Sequence, residues 1–226
     1  MGSVRPFKHG YTNHTVGDGA VVKKTYEGPD AEFRLDREYR LLNRLEGQLP
    51  VPPLRGVDDG TLTLGFVTGV PGQELLDDGH AAAVLETCGG LLRRIHAIDP
   101  SVLSSDASTA DKVLVHGDFG PQNVLLDPDT FQVTAVVDWE FAHLGDPVED
   151  LAWCEWIVRM HHPGHQEALG HFFRAYGGDV PPWLVRQGAM LTRCESLWQF
   201  CNRWEPNGPG AKQWRERAAA TASWQE

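Results

Sequence analysis

The sequence has few of the features that mark secreted, disulfide-stabilised or membrane-spanning proteins. It contains four cysteines among 226 residues, and none of them stands in a CxxC pair. The N-terminal MGSVRPFKHG has no apolar run like that of a signal peptide, and no later stretch approaches the roughly 20 apolar residues that a membrane-spanning helix needs. These absences predict a soluble, cytoplasmic protein without a membrane partner, in which the cysteines are reduced, buried thiols.

Basic residues are also few relative to acidic ones. Twenty Lys and Arg residues face 31 Asp and Glu residues, which gives a formal net charge of −11. Such a surface repels a phosphate backbone over most approaches, so we expect no nucleic-acid partner. The length and the 41% hydrophobic content suit one large domain or two lobes and leave the oligomeric state open.

The first seventy residues are predicted to form strands and one helix. A hairpin around Gly17 and Gly19 leads into a strand at Ala20 to Lys23. A helix is predicted from Pro29 to Leu45, because apolar residues recur there at helical spacing. The predicted buried stripe contains Leu35, Tyr39, Leu42 and Leu45, with Arg34, Arg37 and Arg40 largely outside it.

A Gly- and Pro-rich turn near Thr68 to Gly72 is the predicted boundary between two lobes. Residues 1–70 then form a small β-rich N-terminal lobe, and residues 71–226 form a larger, mainly helical lobe. The predicted fold class is therefore α+β with two lobes.

Polar side chains follow short apolar strands in VLVHGDFGPQNVLLD and VTAVVDWE. Asp118 leaves the first predicted strand, Asn123 comes five residues later, and Asp138 ends another strand. Hairpin pairing of these strands brings the three side chains to one rim. Oxygen ligands such as those of Asn123 and Asp138 suit Mg²⁺, which leaves Asp118 able to accept a proton from a hydroxyl group.

These motifs resemble the aminoglycoside phosphotransferase and choline kinase-like family, which shares the protein-kinase fold. The family's HGDxxxxN motif corresponds to His116, Gly117, Asp118 and Asn123, and its later metal-binding aspartate corresponds to Asp138. GDPVEDLAW and LLRRIHAID resemble two further helical motifs of the family. The resemblance implies a two-lobed protein-kinase-like fold, ATP and Mg²⁺ as cofactors, and transfer of the γ-phosphoryl group to a hydroxyl of a small acceptor.

By the same resemblance, each polar residue of the catalytic segment has an expected role. Asp118 is the catalytic residue that accepts the hydroxyl proton, and Asn123 and Asp138 hold the metal ion. His116 supports the catalytic loop, and Asp150 anchors that loop from the start of a helix.

The N-terminal lobe is expected to bind the nucleotide. The resemblance implies a phosphate-contacting lysine at the end of AVVK. The three apolar residues before it favour Lys23 over the adjacent Lys24, and only one of the two can face the cleft. Glu38 falls within the apolar stripe of the helix and is the expected partner of this lysine. The backbone of Thr68 and Val70 is expected to hold adenine.

The sequence lacks a GxGxxG phosphate-binding loop. HGYTNHTVGDG instead offers Gly10, Thr12 and Asn13, which are similar to the start of the corresponding loop in the family.

The helix predicted after Pro147 is apolar on both faces. Leu151, Cys154 and Val158 lie on one face and Trp153, Trp156 and Met160 on the other, so this helix is expected to be buried or to border a cleft.

The acceptor is expected to bind among the C-terminal helices, where seven of the eight tryptophans lie. Glu155, Trp198 and Glu195 are the candidate contacts, and Glu195 is predicted to lie in an apolar stripe. Together with the acidic net charge, they predict a cationic or polyhydroxylated acceptor such as an aminoglycoside. The alternative is that Glu195 pairs with an arginine and that the tryptophans form a core.

Two other functions fit the same residues. The chain could bind nucleotide without catalysis, as a pseudokinase does. It could also be a metal-dependent hydrolase built on His116, Asp118 and Asp138.

Overall fold

A five-stranded antiparallel sheet forms the N-terminal part of the protein, in the strand order β1-β2-β3-β5-β4. The computed structural model describes residues 5–6, 13–103 and 111–226. The elements are β1 (Arg5–Pro6), β2 (Asn13–Gly17), β3 (Val21–Tyr26), α1 (Ala31–Leu45), β4 (Leu54–Asp58) and β5 (Thr61–Gly65). The predicted hairpin is present as the β2 and β3 pair, with the second strand extending to Tyr26.

Helix α1 lies across this sheet, and its buried face differs from the predicted one. Leu42 and Leu45 are buried as expected, but Tyr39 is 38% exposed and Leu41 is fully buried. Arg34, predicted to lie outside the stripe, is buried with Glu38. The buried face of α1 is rotated relative to the predicted one because Arg34 and Glu38 form ion pairs inside the protein. These ion pairs outweigh the spacing of the apolar residues.

The second part of the chain is mostly helical. It contains β6 (Val70–Pro71), α2 (Gly72–Leu75), α3 (Ala81–His96), β7 (Val113–Val115), β8 (Val124–Leu126), β9 (Val133–Val136), β10 (His143–Gly145), α4 (Val148–His161), α5 (Leu169–Tyr176), α6 (Trp183–Trp204) and α7 (Pro209–Ser223). The strands predicted in VLVHGDFGPQNVLLD and VTAVVDWE are all present. A hairpin is found between β8 and β9, and β8 also pairs with β6. Strand β7, which precedes Asp118, was expected in this hairpin but pairs with β10 instead.

Helix α4 connects two hydrophobic cores. Leu151, Cys154 and Val158 pack into a large core that continues under the N-terminal sheet. Trp153 and Trp156 belong to a second core, which α6 and α7 complete. The prediction of apolar residues on both faces of this helix is thus confirmed, and α4 is buried on two sides.

The cysteines form no disulfide. All four are free, and Cys88, Cys154 and Cys194 are buried, as predicted. In the described part of the chain, no helix is both long enough and apolar enough to cross a membrane.

Candidate active site

Lys24 lies between two carboxylates at the junction of the sheet, α1 and the segment after β9. Its Nζ atom is 2.7 Å from Glu38 Oε2 and 2.5 Å from Asp138 Oδ1. Burial alone would lower the pKa of Lys24, but Asp138 and Glu38 outweigh it and raise the pKa well above its usual range. Lys24 therefore carries a fixed positive charge in the cleft.

The structure corrects the choice between the two lysines. Lys23, favoured from the sequence, points to solvent, whereas Lys24 is buried. Side chains alternate along β3, and the buried Tyr26 lies on the same face as Lys24. The register of this strand decides which lysine faces inward, and a count of preceding apolar residues does not report that register.

Glu140 forms the centre of a second buried cluster, which the sequence did not reveal. It contacts the Arg34 guanidinium, and both of its oxygens are 2.9 Å from Asn13 Nδ2. Arg34 also reaches Asn13 Oδ1 at 3.1 Å. These contacts join β2, α1 and the DWE segment. Arg34 and Glu38 stand four residues apart on α1, and this spacing is the sequence signal for a shared inward face.

Asp118 and Asn123 lie at the two ends of one loop after β7. Asn123 Nδ2 donates to Asp118 Oδ2 and to the Asp118 carbonyl, each at 2.9 Å. The Asn123 amide nitrogen is therefore used within the loop, and the amide oxygen is left as a potential metal ligand.

Asp138 follows β9 in a left-handed backbone conformation with φ of 69°. Burial would raise the pKa of its carboxyl group, but the Lys24 ammonium holds the pKa below its usual value. The carboxylate is therefore ionised at neutral pH. Asp138 and the Asn123 oxygen form the kind of donor set that suits Mg²⁺, which binds one or two protein oxygens and keeps its other positions for water and phosphate.

His116 and Asp150 hold the loop that carries Asp118 in place. The Asp150 carboxylate accepts from the backbone N–H of His116 at 2.7 Å and of Gly117 at 2.9 Å, and it lies 3.2 Å from His96 Nε2. His116 is fully buried and reaches the Val137 carbonyl at 3.1 Å. Burial lowers the pKa of His116, so the ring is neutral and links two loops.

The environment of Asp118 combines burial with two groups from the C-terminal helices. Burial raises the pKa of Asp118 to about 6, and the positive charge of Arg193 opposes that rise. Trp153 Nε1 donates to Asp118 Oδ1 at 2.8 Å. At pH 7 the carboxylate is still mostly ionised and can accept a proton.

Two of the residues predicted to bind the acceptor are placed differently. Glu155 is buried and pairs with Arg159 at 2.9 Å and with Arg186 at 2.7 Å. Glu195 was expected in an apolar stripe, but it is exposed and accepts from Gln199 at 3.1 Å. Glu155 is thus paired inside the protein, and Glu195 faces solvent instead of lying in an apolar stripe. Contact of either acid with an acceptor stays a prediction.

Trp198 lies on α6, and its ring is covered by the Arg215 guanidinium of α7, 4.9 Å from the ring centroid. Most of the C-terminal tryptophans pack within the second core, where Trp153 and Trp156 stack at 4.3 Å. The alternative weighed from the sequence is found for the tryptophans, which form a core. The acid that pairs with arginine is Glu155, however, and not Glu195 as that alternative supposed.

The segment expected to contact adenine follows β5 and continues into β6. Thr68 is exposed, and Val70 stands opposite Leu126 in the short β6 and β8 pair. Of the three loop residues expected near the phosphates, Asn13 is part of β2, and Gly10 and Thr12 lie outside the described residues.

Trp153 and Arg193 were not identified from the sequence as neighbours of Asp118. Trp153 was interpreted only as one apolar face of α4. Arg193 lies three residues after the buried Met190 and four before the buried Leu197. That helical spacing was the available signal for an inward-facing arginine.

No group of three or more His, Cys, Asp or Glu side chains is placed to hold a metal ion within residues 13–103 and 111–226.

The fold and the polar cluster define a two-lobed protein with a protein-kinase-like cleft. The chain matches the model of the phosphotransferase enzyme family over residues 3–111 and 102–187. It belongs to the phosphotransferase enzyme family.

Solved structures of low sequence identity show the same fold. A GDP complex of an aminoglycoside 2'-phosphotransferase of type IIIa superposes with a TM-score of 0.75 at 14% identity, covering 98% of this chain and 91% of that one. A macrolide 2'-phosphotransferase from Brachybacterium faecium gives a TM-score of 0.60 at 20% identity, covering 99% and 93%. The predicted protein-kinase-like α+β fold is confirmed.

Curated relatives match by sequence over part of their length. Acyl-CoA dehydrogenase family member 10 of Mus musculus is 50% identical over 209 residues, covering 65% of this chain and 20% of the relative. Hygromycin-B 4-O-kinase of Escherichia coli is 28% identical over 151 residues, covering 62% and 39%. The chain thus spans less than half the length of either relative.

Proposed function

We propose that the protein is an ATP-dependent phosphotransferase that transfers the γ-phosphoryl group to a hydroxyl of a small acceptor. The observation that carries this proposal is the placement of Lys24, Asn123 and Asp138 around one cleft, with the ionised Asp118 at its acceptor side. Family membership and neighbours named as aminoglycoside and macrolide phosphotransferases support it.

In this mechanism each residue binds or orients one part of the reactants. Lys24, held by Glu38, binds phosphate oxygens of the nucleotide, and the backbone of Thr68 and Val70 contacts the adenine. Asn123 and Asp138 would hold Mg²⁺, which neutralises phosphate charge when bound. Asp118 accepts the proton of the acceptor hydroxyl and aligns its oxygen with the phosphoryl group.

His116 and Asp150 contribute by positioning. They hold the loop that carries Asp118 through backbone hydrogen bonds, so the carboxylate needs no rearrangement during the reaction. The neutral, buried His116 ring contacts backbone groups on both sides and is not required as the proton acceptor.

The test compares Asp118→Asn with a matched control, Asp129→Asn, an exposed aspartate in the turn between β8 and β9. Purified proteins are given Mg²⁺ with ATP or GTP and a panel of aminoglycosides, macrolides, sugars and amino alcohols. Nucleotide affinity and ADP or GDP release are measured. We expect Asp118→Asn to keep nucleotide affinity and to lose at least about a hundredfold in transfer, while Asp129→Asn keeps both.

The same experiment separates the other functions. Nucleotide binding without transfer to any acceptor would indicate a pseudokinase. Hydrolytic activity without nucleotide, activated by transition metals, would indicate a hydrolase. Either result would overturn the proposal.

A further inference from the structure

Arg193 is a partly buried arginine on α6 that lies beside the Asp118 carboxylate. Its guanidinium carbon lies 5.7 Å from the centroid of the Trp153 ring, whose Nε1 atom donates to Asp118. The same carbon lies 4.8 Å from the centroid of the Phe141 ring. Two aromatic rings thus hold the guanidinium next to Asp118, on the side of the C-terminal helices, where the proposed function places the acceptor.

Two of the three guanidinium nitrogens of Arg193 are buried without a protein partner. Neither Nε nor Nη2 has a hydrogen-bond partner within the described part of the chain. The buried arginines Arg34 and Arg186 each pair with a buried glutamate. A buried donor left without a partner destabilises a protein, and a charged donor does so more strongly. An anionic ligand would supply the partner that the Nε and Nη2 atoms of Arg193 lack.

The nearby acids do not supply that ligand. Asp118 exerts the strongest favourable charge effect on Arg193, followed by Asp150, Glu140 and Glu149. The two Asp118 oxygens accept from Trp153 and Asn123, and Asp150 binds the catalytic loop. Arg193 thus adds a local positive charge beside the proton acceptor in a protein of net charge −11.

We propose that Arg193 binds an anionic oxygen group of the acceptor, a carboxylate or a phosphate, a few bonds from the hydroxyl that Asp118 orients. The planar guanidinium suits two oxygens of such a group, and its aromatic neighbours leave its edge for binding. This inference rests on the proposed phosphotransferase function and specifies its acceptor. It replaces the cationic acceptor expected from Glu155 and Glu195, since a buried guanidinium repels an ammonium group.

The experiment uses acceptors matched in shape but not in charge. One set comprises 3-hydroxybutyrate, its uncharged amide, and 4-aminobutan-2-ol. Glycerol 3-phosphate and glycerol form a second set, which distinguishes phosphate from carboxylate. Binding is measured by thermal melting of the full chain with Mg²⁺ and a non-hydrolysable ATP analogue, and transfer is measured as ADP release with ATP. The variants are Arg193→Met, Arg193→Lys and Arg215→Met, the last being an exposed arginine stacked on Trp198.

We expect the anionic member of at least one set to bind and react at least tenfold better than its neutral and cationic counterparts. Arg193→Met should raise KM for that acceptor about 10- to 100-fold, with a smaller change in kcat. Arg193→Lys should restore part of the loss, and Arg215→Met should behave as the parent protein.

The inference is overturned if neutral or cationic members react as well as the anionic ones, if no anionic member binds, or if Arg193→Met leaves the preference unchanged. Failure of the proposed function itself has a different signature. In that case, the ATP analogue with Mg²⁺ does not stabilise the parent protein, or none of the acceptors, charged or neutral, is phosphorylated although they bind.

Discussion

Trp153 donates its indole N–H to Asp118 Oδ1 at 2.8 Å, so a core tryptophan also contacts the carboxylate that we propose as the proton acceptor. The same ring stacks on Trp156 at 4.3 Å with an interplanar angle of 5°. One side chain therefore links the packing of the second core to the direction of the Asp118 carboxylate.

Trp153→Phe keeps an aromatic ring but removes this donor. Hydrogen bonds to charged groups contribute about 1.5–3 kcal/mol, so we expect a roughly 10- to 100-fold loss in kcat/KM, with the loss mainly in kcat. Steady-state kinetics with a reactive acceptor would measure it. Trp156→Phe is the matched control, since its N–H binds Thr221 at 2.8 Å, and it should lower stability without a comparable loss of kcat. Equal kinetic effects of both variants would argue against a specific role for the Trp153 N–H.

The two lysines of β3 should differ sharply when replaced. Lys24→Met leaves the carboxylates of Glu38 and Asp138 without their ammonium partner, and we expect a loss of about 3–5 kcal/mol in unfolding free energy. Lys23→Met, at an exposed site, should change it by no more than about 0.5 kcal/mol. Urea unfolding of both variants checks this, and nucleotide titration should show weakened binding for Lys24→Met alone. A larger effect at Lys23 would contradict the strand register.

Asp150 should make stability depend on pH in the acid range. Burial would raise the pKa of Asp150, but hydrogen bonds from the His96 side chain and from the His116 backbone N–H lower it below the usual 3.8. An acid with a lowered pKa in the folded state stabilises the protein above its unfolded value, and this contribution is lost as the pH falls through the folded value. Asp150→Asn should therefore be less stable at neutral pH.

The measurement is the urea midpoint of the parent protein and of Asp150→Asn at about pH 7 and at stepwise lower pH values to about pH 3. The difference between the two proteins should shrink progressively below about pH 4, because the parent then begins to lose this contribution. A constant difference at all of these pH values would show that the Asp150 charge is not what stabilises the loop.

Glu155→Gln tests whether this acid is structural. Its carboxylate pairs with Arg159 and Arg186 inside the protein. Removing one member of a buried ion pair costs about 3–5 kcal/mol, so we expect a clear loss of stability. Acceptor KM should stay within about twofold, as measured in the folded variant. A selective rise in KM without loss of stability would restore the interpretation of Glu155 as an acceptor contact.

Much of the fold could be predicted because its signals are local. The strands around the catalytic segment and helix α1 follow from apolar spacing and turn residues, and the structure reproduces them. The motif residues Asp118 and Asn123 meet because they lie on one short loop. The two-sided apolar pattern of α4 predicted its burial between cores.

The parts that failed depend on long-range pairing. Lys24 faces inward because of its register against β5, and Arg34 is buried because Glu140, over a hundred residues away, receives it. The sequence did not show that Glu155 is paired, because its partner Arg186 lies on another helix. Arg193 carried a readable helical spacing, but nothing near it in the chain indicated that it would face Asp118.

The position of helix α4 between the two cores determines which helices can be substituted without disturbing the rest of the protein. The large-core face of α4 is fixed by residues under the N-terminal sheet, and its opposite face contacts Asp118 through Trp153. Helices α6 and α7, by contrast, contribute residues to the second core and none to the large one within the described chain. The end of α6 is an exception in another way, because Arg203 pairs with Asp30 at 2.7 Å and the Phe200 ring lies 5.2 Å from the Arg34 guanidinium. Substitutions on α7 and on the first half of α6 can therefore change the surroundings of the proposed acceptor while these contacts to the N-terminal part are kept. A laboratory library aimed at new acceptors should vary those positions and leave α4 and the end of α6 unchanged.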